Sequence, residues 1–354
     1  RLSQVNDYRG SANGAKDLIT PVVYDAFGRQ AKDYLRFSSE QNMGYHSAPT
    51  NSGNWTGYYE ASDLPYTYGE KTFDNSPLNR VMEQSTPGYS WRTGSGHTLK
   101  YEYGTNVAGD VIIFVVDNST GLLVLRNNVY YPANSLYKTT TWDENTTVKS
   151  SSTNRTEEFK DKQEQVVLKR SYIGTTAFPP YYVYNDKGLL CCVIPPKAMA
   201  DGTVSSAELE QLCYQYKYDE RNRLMEKKLP GAGWEYLIHD KRDRLVLSQD
   251  AGLRATNRYH YTLYDSFNRP VEQGISTDGT DYSVLRNTVK NSNNYTPGTR
   301  EAQIYTWYDN YDFRSGWGGT AVMDTFVLVY PAHSVTDKVR GLVTGTKTKV
   351  LESS

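Results

Sequence analysis

YKYDERNRLMEKKLPG, residues 216–231, sets a polar core, Asp219 to Arg223, between stretches that alternate like β-strand. The same core returns as VYDAFGRQ at 23–30, LIHDKRDRL at 237–245 and TLYDSFNRPV at 262–271. Each copy places an arginine four residues after an aspartate: Asp25 and Arg29, Asp219 and Arg223, Asp240 and Arg244, Asp265 and Arg269. The third position after the aspartate is Gly28, Asn222, Asp243 or Asn268, the residue types that accept a positive φ at least cost. Three-residue hairpin loops commonly combine a type I turn with one left-handed residue, and Asp or Asn is favoured at their first position. The motif therefore predicts a β-hairpin, with Asp219 facing Arg223, Tyr218 facing Leu224 and Lys217 facing Met225. In this reading the Asp/Arg pair is a solvated turn pair that specifies shape, and Tyr24, Tyr218 and Tyr264 clothe the strand ahead of the turn.

Degenerate copies extend the series. VYNDKGLL at 183–190 has Asn185 for the aspartate, Gly188 at the left-handed position and Leu189 for the arginine. VVDNSTGLL at 115–123, with Asp117 and Gly121, is one residue longer, and FDNSPLNRV at 73–81, with Asp74 and Arg80, is two longer. WYDNYDF at 307–313 lacks the arginine. The aspartates at 219, 240 and 265 are 21 and 25 residues apart, which suits one hairpin plus a return turn. LPGAGW at 229–234 supplies a return, because Pro230-Gly231 fits the middle of a type II turn. Residues 213–250 thus read as a four-strand meander, and the array is tightest over 213–274.

The wider composition agrees. Thirty-one Tyr and 27 Gly, with few apolar stretches of helical period, favour strands and turns. VIIFVVD at 111–117 and LLVLRNNVYY at 122–131 have the continuous apolar pattern of strands buried on both faces. Leu237, Ile238, Leu245, Val246 and Leu247 also occupy both sides, so part of the sheet needs a covering layer. Polar, aperiodic stretches at 38–55, 143–158 and 287–300 read as long loops. SSAELEQLCY at 205–214 reads as a short helix capped by Ser206. The expected fold class is all-β, antiparallel hairpin repeats forming a curved or spiral sheet, with at most one or two short helices. The expected organisation is an N-terminal β block over 1–142, a polar linker at 143–158 and a repeat array over 159–354.

Chemistry is sparse. Lys+Arg total 39 against 40 Asp+Glu, for a formal net charge of −1, which gives no electrostatic footprint for nucleic acid or a membrane surface. The longest apolar run, VIIFVV at 111–116, is far shorter than the roughly 20 residues of a membrane helix. Cys191, Cys192 and Cys213 lack metal or redox spacing and read as buried free thiols. The five histidines (46, 97, 239, 260, 333) form no metal-binding pattern, and His239 stands where other copies have tyrosine. GLVTGTKTK at 341–349 imitates a phosphate loop, but Thr346 occupies the place of the required lysine. The five N-x-S/T sequons, at Asn54, Asn118, Asn145, Asn154 and Asn294, match ordinary loop composition in a bacterial chain. No carboxylate pair is set apart for acid/base work. No catalytic residue, metal or cofactor is therefore expected. Aromatic clusters around Tyr58 and Tyr59, and around Trp307 and Tyr308, could stack on sugars or simply cover sheet faces.

The run CYQYKYDERNRLMEKKLPGAGWEYLIHDKRDRLVLSQD (213–250) resembles the YD-repeat, or Rhs, family of large secreted and surface proteins. VVYDAFGRQAKDYL (22–35), SPLNRVMEQSTPGYSW (76–91) and HTLKYEYGTN (97–106) resemble blocks of the domain that precedes the repeats in a bacterial branch of that family. The resemblance spans about 20 to 351. It implies a spiral of hairpins that can enclose a C-terminal cargo or toxin, and a secreted or cell-surface setting. The chain lacks the D-P-x-G-type core segment and toxin module of full members, and so reads as an internal piece of a longer polypeptide. The expected role is a non-catalytic structural and interaction module whose partners are the rest of its own polypeptide and a cell-surface or glycan partner. A carbohydrate-binding module is the alternative, and a glycoside hydrolase the third reading.

Overall fold

The computed structural model describes residues 1–12, 14–40, 44–124, 129–149, 152–277, 280–311 and 338–349. Leu125 to Asn128 of the second apolar run, Asp312 and Phe313 of the arginine-less copy, and His333 lie outside the described residues, as do 41–43 and 150–151 of the expected loops. Among the described residues every pairing between strands is antiparallel: twenty-one strands lie in extended sheet, and Val115–Asp117 pairs only with Leu122–Val124. The all-β antiparallel class holds. Three α-helices are present among the described residues, Ser206–Leu212, Ala251–Ala255 and Tyr282–Val289, one more than the sequence indicates.

The chain forms two compact units whose boundaries do not follow the split expected at 143–158. The first comprises Arg1–Phe114, Arg126–Tyr182 and Pro195–Thr203; the second comprises Val115–Leu125, Val183–Ile194 and Val204–Ser354. Residues 155–158 are not loop. They belong to strand Arg155–Lys160, which pairs with both Tyr137–Trp142 and Val166–Ile173. In the first unit Ile19, Phe37 and Trp55 form a fully buried cluster. Trp55 ends the stretch read as a polar loop, on a 3₁₀ turn (Ser52–Trp55) capped by the Asn51 side chain, and it meets the Phe37 ring edge-on at 5.3 Å. One large aromatic in an otherwise polar run is enough to pin such a loop to the core.

In the second unit, strands Tyr214–Tyr218, Leu224–Lys228, Trp234–His239 and Leu245–Gln249 form the expected meander, with Gly231 at φ 71° in the return turn. Ile238, Val246, Leu247, Tyr259 and Tyr261 are buried beneath Leu285 and Val289 of helix Tyr282–Val289. The covering layer demanded by the apolar pattern is therefore a helix, and it begins ahead of the stretch 287–300 read as loop. Leu245 at the start of its strand is exposed, whereas the adjacent Val246 and Leu247 are both buried. Helix Ser206–Leu212 is capped by Ser205, one residue earlier than expected, in a capping box with Glu208. The apolar run 111–117 becomes a strand only at Val115–Asp117, and most of its residues are half-buried, so the two-face burial expected there does not occur. All three cysteines are free and buried.

Candidate functional site

The repeated turns are built by one carboxylate acting in two directions. In YDERNRL, the Asp219 amide donates to the Arg223 carbonyl at 3.0 Å, and the Asn222 amide donates back to the Asp219 carbonyl at 3.0 Å. Asp219 Oδ1 accepts from the backbone N–H of Arg221 and of Arg223, both at 2.9 Å, and Oδ2 accepts from Arg223 Nε at 2.7 Å. The aspartate thus satisfies turn amides that have no ladder partner while it orients its own arginine. Asp25 with Arg29, Asp240 with Arg244 and Asp265 with Arg269 repeat this arrangement. Asp74 holds Arg80 in the same way across two extra residues. The third positions are left-handed, as the sequence requires: Gly28 at φ 81°, Asn222 at 63°, Asp243 at 63° and Asn268 at 65°.

The turn copies with no arginine keep the backbone bonds. Asn185 Oδ1 accepts from the amides of Lys187 and Leu189, and Gly188 is left-handed. The Asp117 carbonyl accepts from Gly121 at 2.7 Å, and its Oδ1 from Ser119. A further copy, DKQEQ at 161–165, escapes sequence reading, because Glu164 occupies the left-handed position (φ 62°) and Gln165 the arginine position. Its only sequence signal is an aspartate ahead of an alternating strand. The WYDNYDF segment does not form this turn: Asp309 is itself left-handed, at φ 68°, and its amide bonds to the Leu342 carbonyl.

Register departs from expectation at one point. Tyr218 faces Leu224, but Lys217 faces Glu226, because a bulge at Met225 follows the turn, and Lys217 Nζ bonds Glu226 Oε2 at 2.8 Å. The G1 bulge of the turn is Asn222 with Arg223 opposite Asp219, and the bulge at Met225 is a second one further along the strand. The same shift follows the turns at 239/245 and 264/270.

What joins one turn to the next is absent from the sequence motif. Within the second unit, Arg223 Nη1 bonds the Asp240 carbonyl and Asp243 Oδ1, each at 2.8 Å. Arg244 Nη1 reaches Asn268 Oδ1 at 3.2 Å, and its guanidinium lies 4.9 Å from the centre of the Tyr264 ring. Arg269 stacks on Tyr308 at 4.3 Å and bonds Asp309 at 3.0 Å, holding that carboxyl down at about 2. In return, Tyr218, Tyr264 and Tyr308 donate their hydroxyls to the carbonyls of Leu190, Leu245 and Pro270. The first unit shows the same rule: Arg29 stacks on Phe73 and bonds Asn79, Arg80 stacks on Tyr103, and the Tyr103 hydroxyl bonds the Val81 carbonyl. Tyr24 receives the Arg1 guanidinium. Each arginine therefore grips its own aspartate with Nε and reaches a neighbouring segment with Nη1 (Arg223), its flat face (Arg80) or both (Arg29, Arg244, Arg269). These pairs are not all solvated. Asp240 is fully buried and the Arg244 side chain only 7% exposed, whereas Asp25 and Arg29 remain about a quarter exposed. Burial drives the Asp219 carboxyl upward, but hydrogen bonds from Arg223 and its charge prevail and hold it below the ordinary range. His239, in the aromatic position, is pushed down by burial and by Arg223.

Among the aromatics singled out for stacking, Tyr58 and Tyr59 are exposed in the first unit. Tyr308 is consumed by the ladder, and Trp307 is half-buried and stacks with Tyr305 at 5.9 Å. No cluster of three metal-ligating side chains exists among the described residues, and no helix among them is long and apolar enough to cross a membrane. The phosphate-loop imitation at 341–349 is mostly strand, Val343–Thr348.

This hairpin architecture is an Rhs/YD-repeat-like β-shell fold. Solved structures titled "TcdB2-TccC3 without hypervariable C-terminal region" and "TcdB2-TccC3-Cdc42" superpose on it with a TM-score of 0.50 at 12% identity, covering 83% and 87% of this chain. The chain spans only 11% and 12% of those chains. Residues 1–105 match the family described as "Domain of unknown function (DUF6443)". No curated protein matches the chain.

Proposed function

We propose that this chain is a non-catalytic wall segment of a larger secreted or surface bacterial polypeptide, whose interlocked hairpins help to enclose or display a C-terminal cargo or toxin. One observation carries the reading: the charged groups that repeat through the chain are spent on one another. Asp240 and Arg244, Asp265, Arg269 and Asp309 are committed to turns and neighbouring turns, an arrangement that stiffens a wall and keeps these carboxylates bonded to arginines. Its partners are then the remaining segments of its own polypeptide, together with whatever surface that polypeptide meets. The test is to express the complete polypeptide, image it, and digest it with a protease of broad specificity. A hollow particle with a protected C-terminal segment is expected. An extended particle whose C-terminal segment is cut as fast as an isolated peptide refutes the enclosure.

A further inference from the structure

The first unit contains two cavities that share a wall. One, of about 340 Å³, is lined by Leu35, Tyr59, Asp63, Tyr66, Ser90 and Trp91 among others; the second, of about 520 Å³, by Lys16, Arg36, Phe37, Ser38, Tyr58 and Tyr59. Both volumes lie in the range of small-ligand clefts. Tyr59 lines both. The aromatic rings are exposed although the ladder has no use for them: Trp91 is 43% and Tyr59 41% accessible. Trp91 and the neighbouring rings of the first cavity are also held in place. Arg92 stacks on Tyr89 at 4.0 Å and on Tyr66 at 5.5 Å, Tyr66 meets Tyr89 edge-on, and Trp91 rests against His97. Asp63 Oδ1 accepts the Tyr89 amide at 2.8 Å, which fixes the carboxylate while Oδ2 has no partner among the described residues. Arg36 is exposed and likewise has no ionic partner among them, whereas Lys16 pairs with Glu40.

We propose that these two cavities, on either side of Tyr59, bind an oligosaccharide, with a neutral sugar ring against Trp91 and Asp63 and an acidic sugar beside Arg36. The chemistry is specific to that class. A pyranose offers an apolar C–H face to a flat ring and vicinal hydroxyls to a carboxylate, and a uronic acid offers a carboxylate to a guanidinium. A peptide would instead need a row of free backbone donors, whereas the charged groups lining these cavities, Asp63, Lys16 and Arg36, are side chains.

The test is isothermal titration of the 354-residue chain with three probes: a neutral xylo-oligosaccharide, a uronic-acid-containing oligosaccharide of similar length, and a proline-rich peptide. The acidic oligosaccharide is expected to bind best, with Trp91→Ala weakening both sugars about tenfold and Arg36→Gln weakening only the acidic one. Trp91→Phe, which keeps a ring, should retain most of the binding and guards against misreading a folding defect. Absence of binding to both sugars, binding unchanged by Trp91→Ala at an unchanged melting temperature, or preference for the peptide overturns the proposal. Because the cleft lies outside the Asp/Arg ladder, its failure leaves the wall-segment reading untouched, and the protease test leaves the cleft untouched.

Discussion

Arg244→Ala is the sharpest probe of the ladder. The side chain leaves a fully buried carboxylate, Asp240, without its counter-charge, since Arg244 Nε and Nη2 contact Asp240 Oδ2 at 2.8 and 2.6 Å. It also deletes the bonds to Asn268 and Asn294 and the stack on Tyr264. Breaking one side of a buried pair typically destabilises by about 3–5 kcal/mol, because the remaining charge stays desolvated. That corresponds to a fall of roughly two to four orders of magnitude in the protection of local amides. Hydrogen exchange over 234–249, in strands Trp234–His239 and Leu245–Gln249, reads it directly and avoids assuming that the two units unfold together. The chain supplies its own control. In VYNDKGLL, Asn185 and Leu189 replace the aspartate and arginine together while the turn hydrogen bonds persist. The double variant Asp240→Asn with Arg244→Leu should therefore recover much of the protection lost in Arg244→Ala, since the turn acceptor survives and no charge is buried. If Arg244→Ala loses no more protection than Arg29→Ala does around its own, more exposed turn, or if the double variant is worse than the single, the buried-pair argument fails.

Asn222→Gly should leave the melting temperature nearly unchanged, whereas Asn222→Val should destabilise by about 1–2 kcal/mol, because a β-branched residue resists the left-handed conformation at φ 63°; equal melting temperatures would remove the left-handed requirement. Asp219 is more acidic in the folded chain than in the unfolded one, so its contribution is complete above the unfolded carboxyl value near 4 and disappears as pH falls through its lower folded value. Denaturation between pH 5 and 2 should accordingly show a shallower loss of stability in Asp219→Asn than in the parent, and identical slopes contradict this. Cys191, Cys192 and Cys213 are buried, and the Cys192 thiol is pushed up by its hydrogen bond to Cys213 and by burial, so a thiol reagent at pH 8 should modify all three in denaturant and none promptly in the native chain.

The sequence by itself determined the turns. A three-residue reversal places steric demands on single positions, and Gly28, Asn222, Asp243 and Asn268 meet them locally, so the hairpins, the meander over 213–250 and the all-β class could be read from spacing alone. Glu164 was invisible for the same reason: a residue poorly suited to left-handed backbone carries no local signal and is held there by the strands that flank it. Tertiary structure decided everything that requires two distant segments to meet. The reach of each arginine into a neighbouring turn, the burial of Asp240, the helix over Ile238 and Leu247, and the meeting of Tyr59 with Trp91 around one cavity all depend on which strands become neighbours. Solvation follows from that arrangement: one motif gives a pair about a quarter exposed at Asp25 and a buried one at Asp240, because identical side chains sit under different amounts of neighbouring chain.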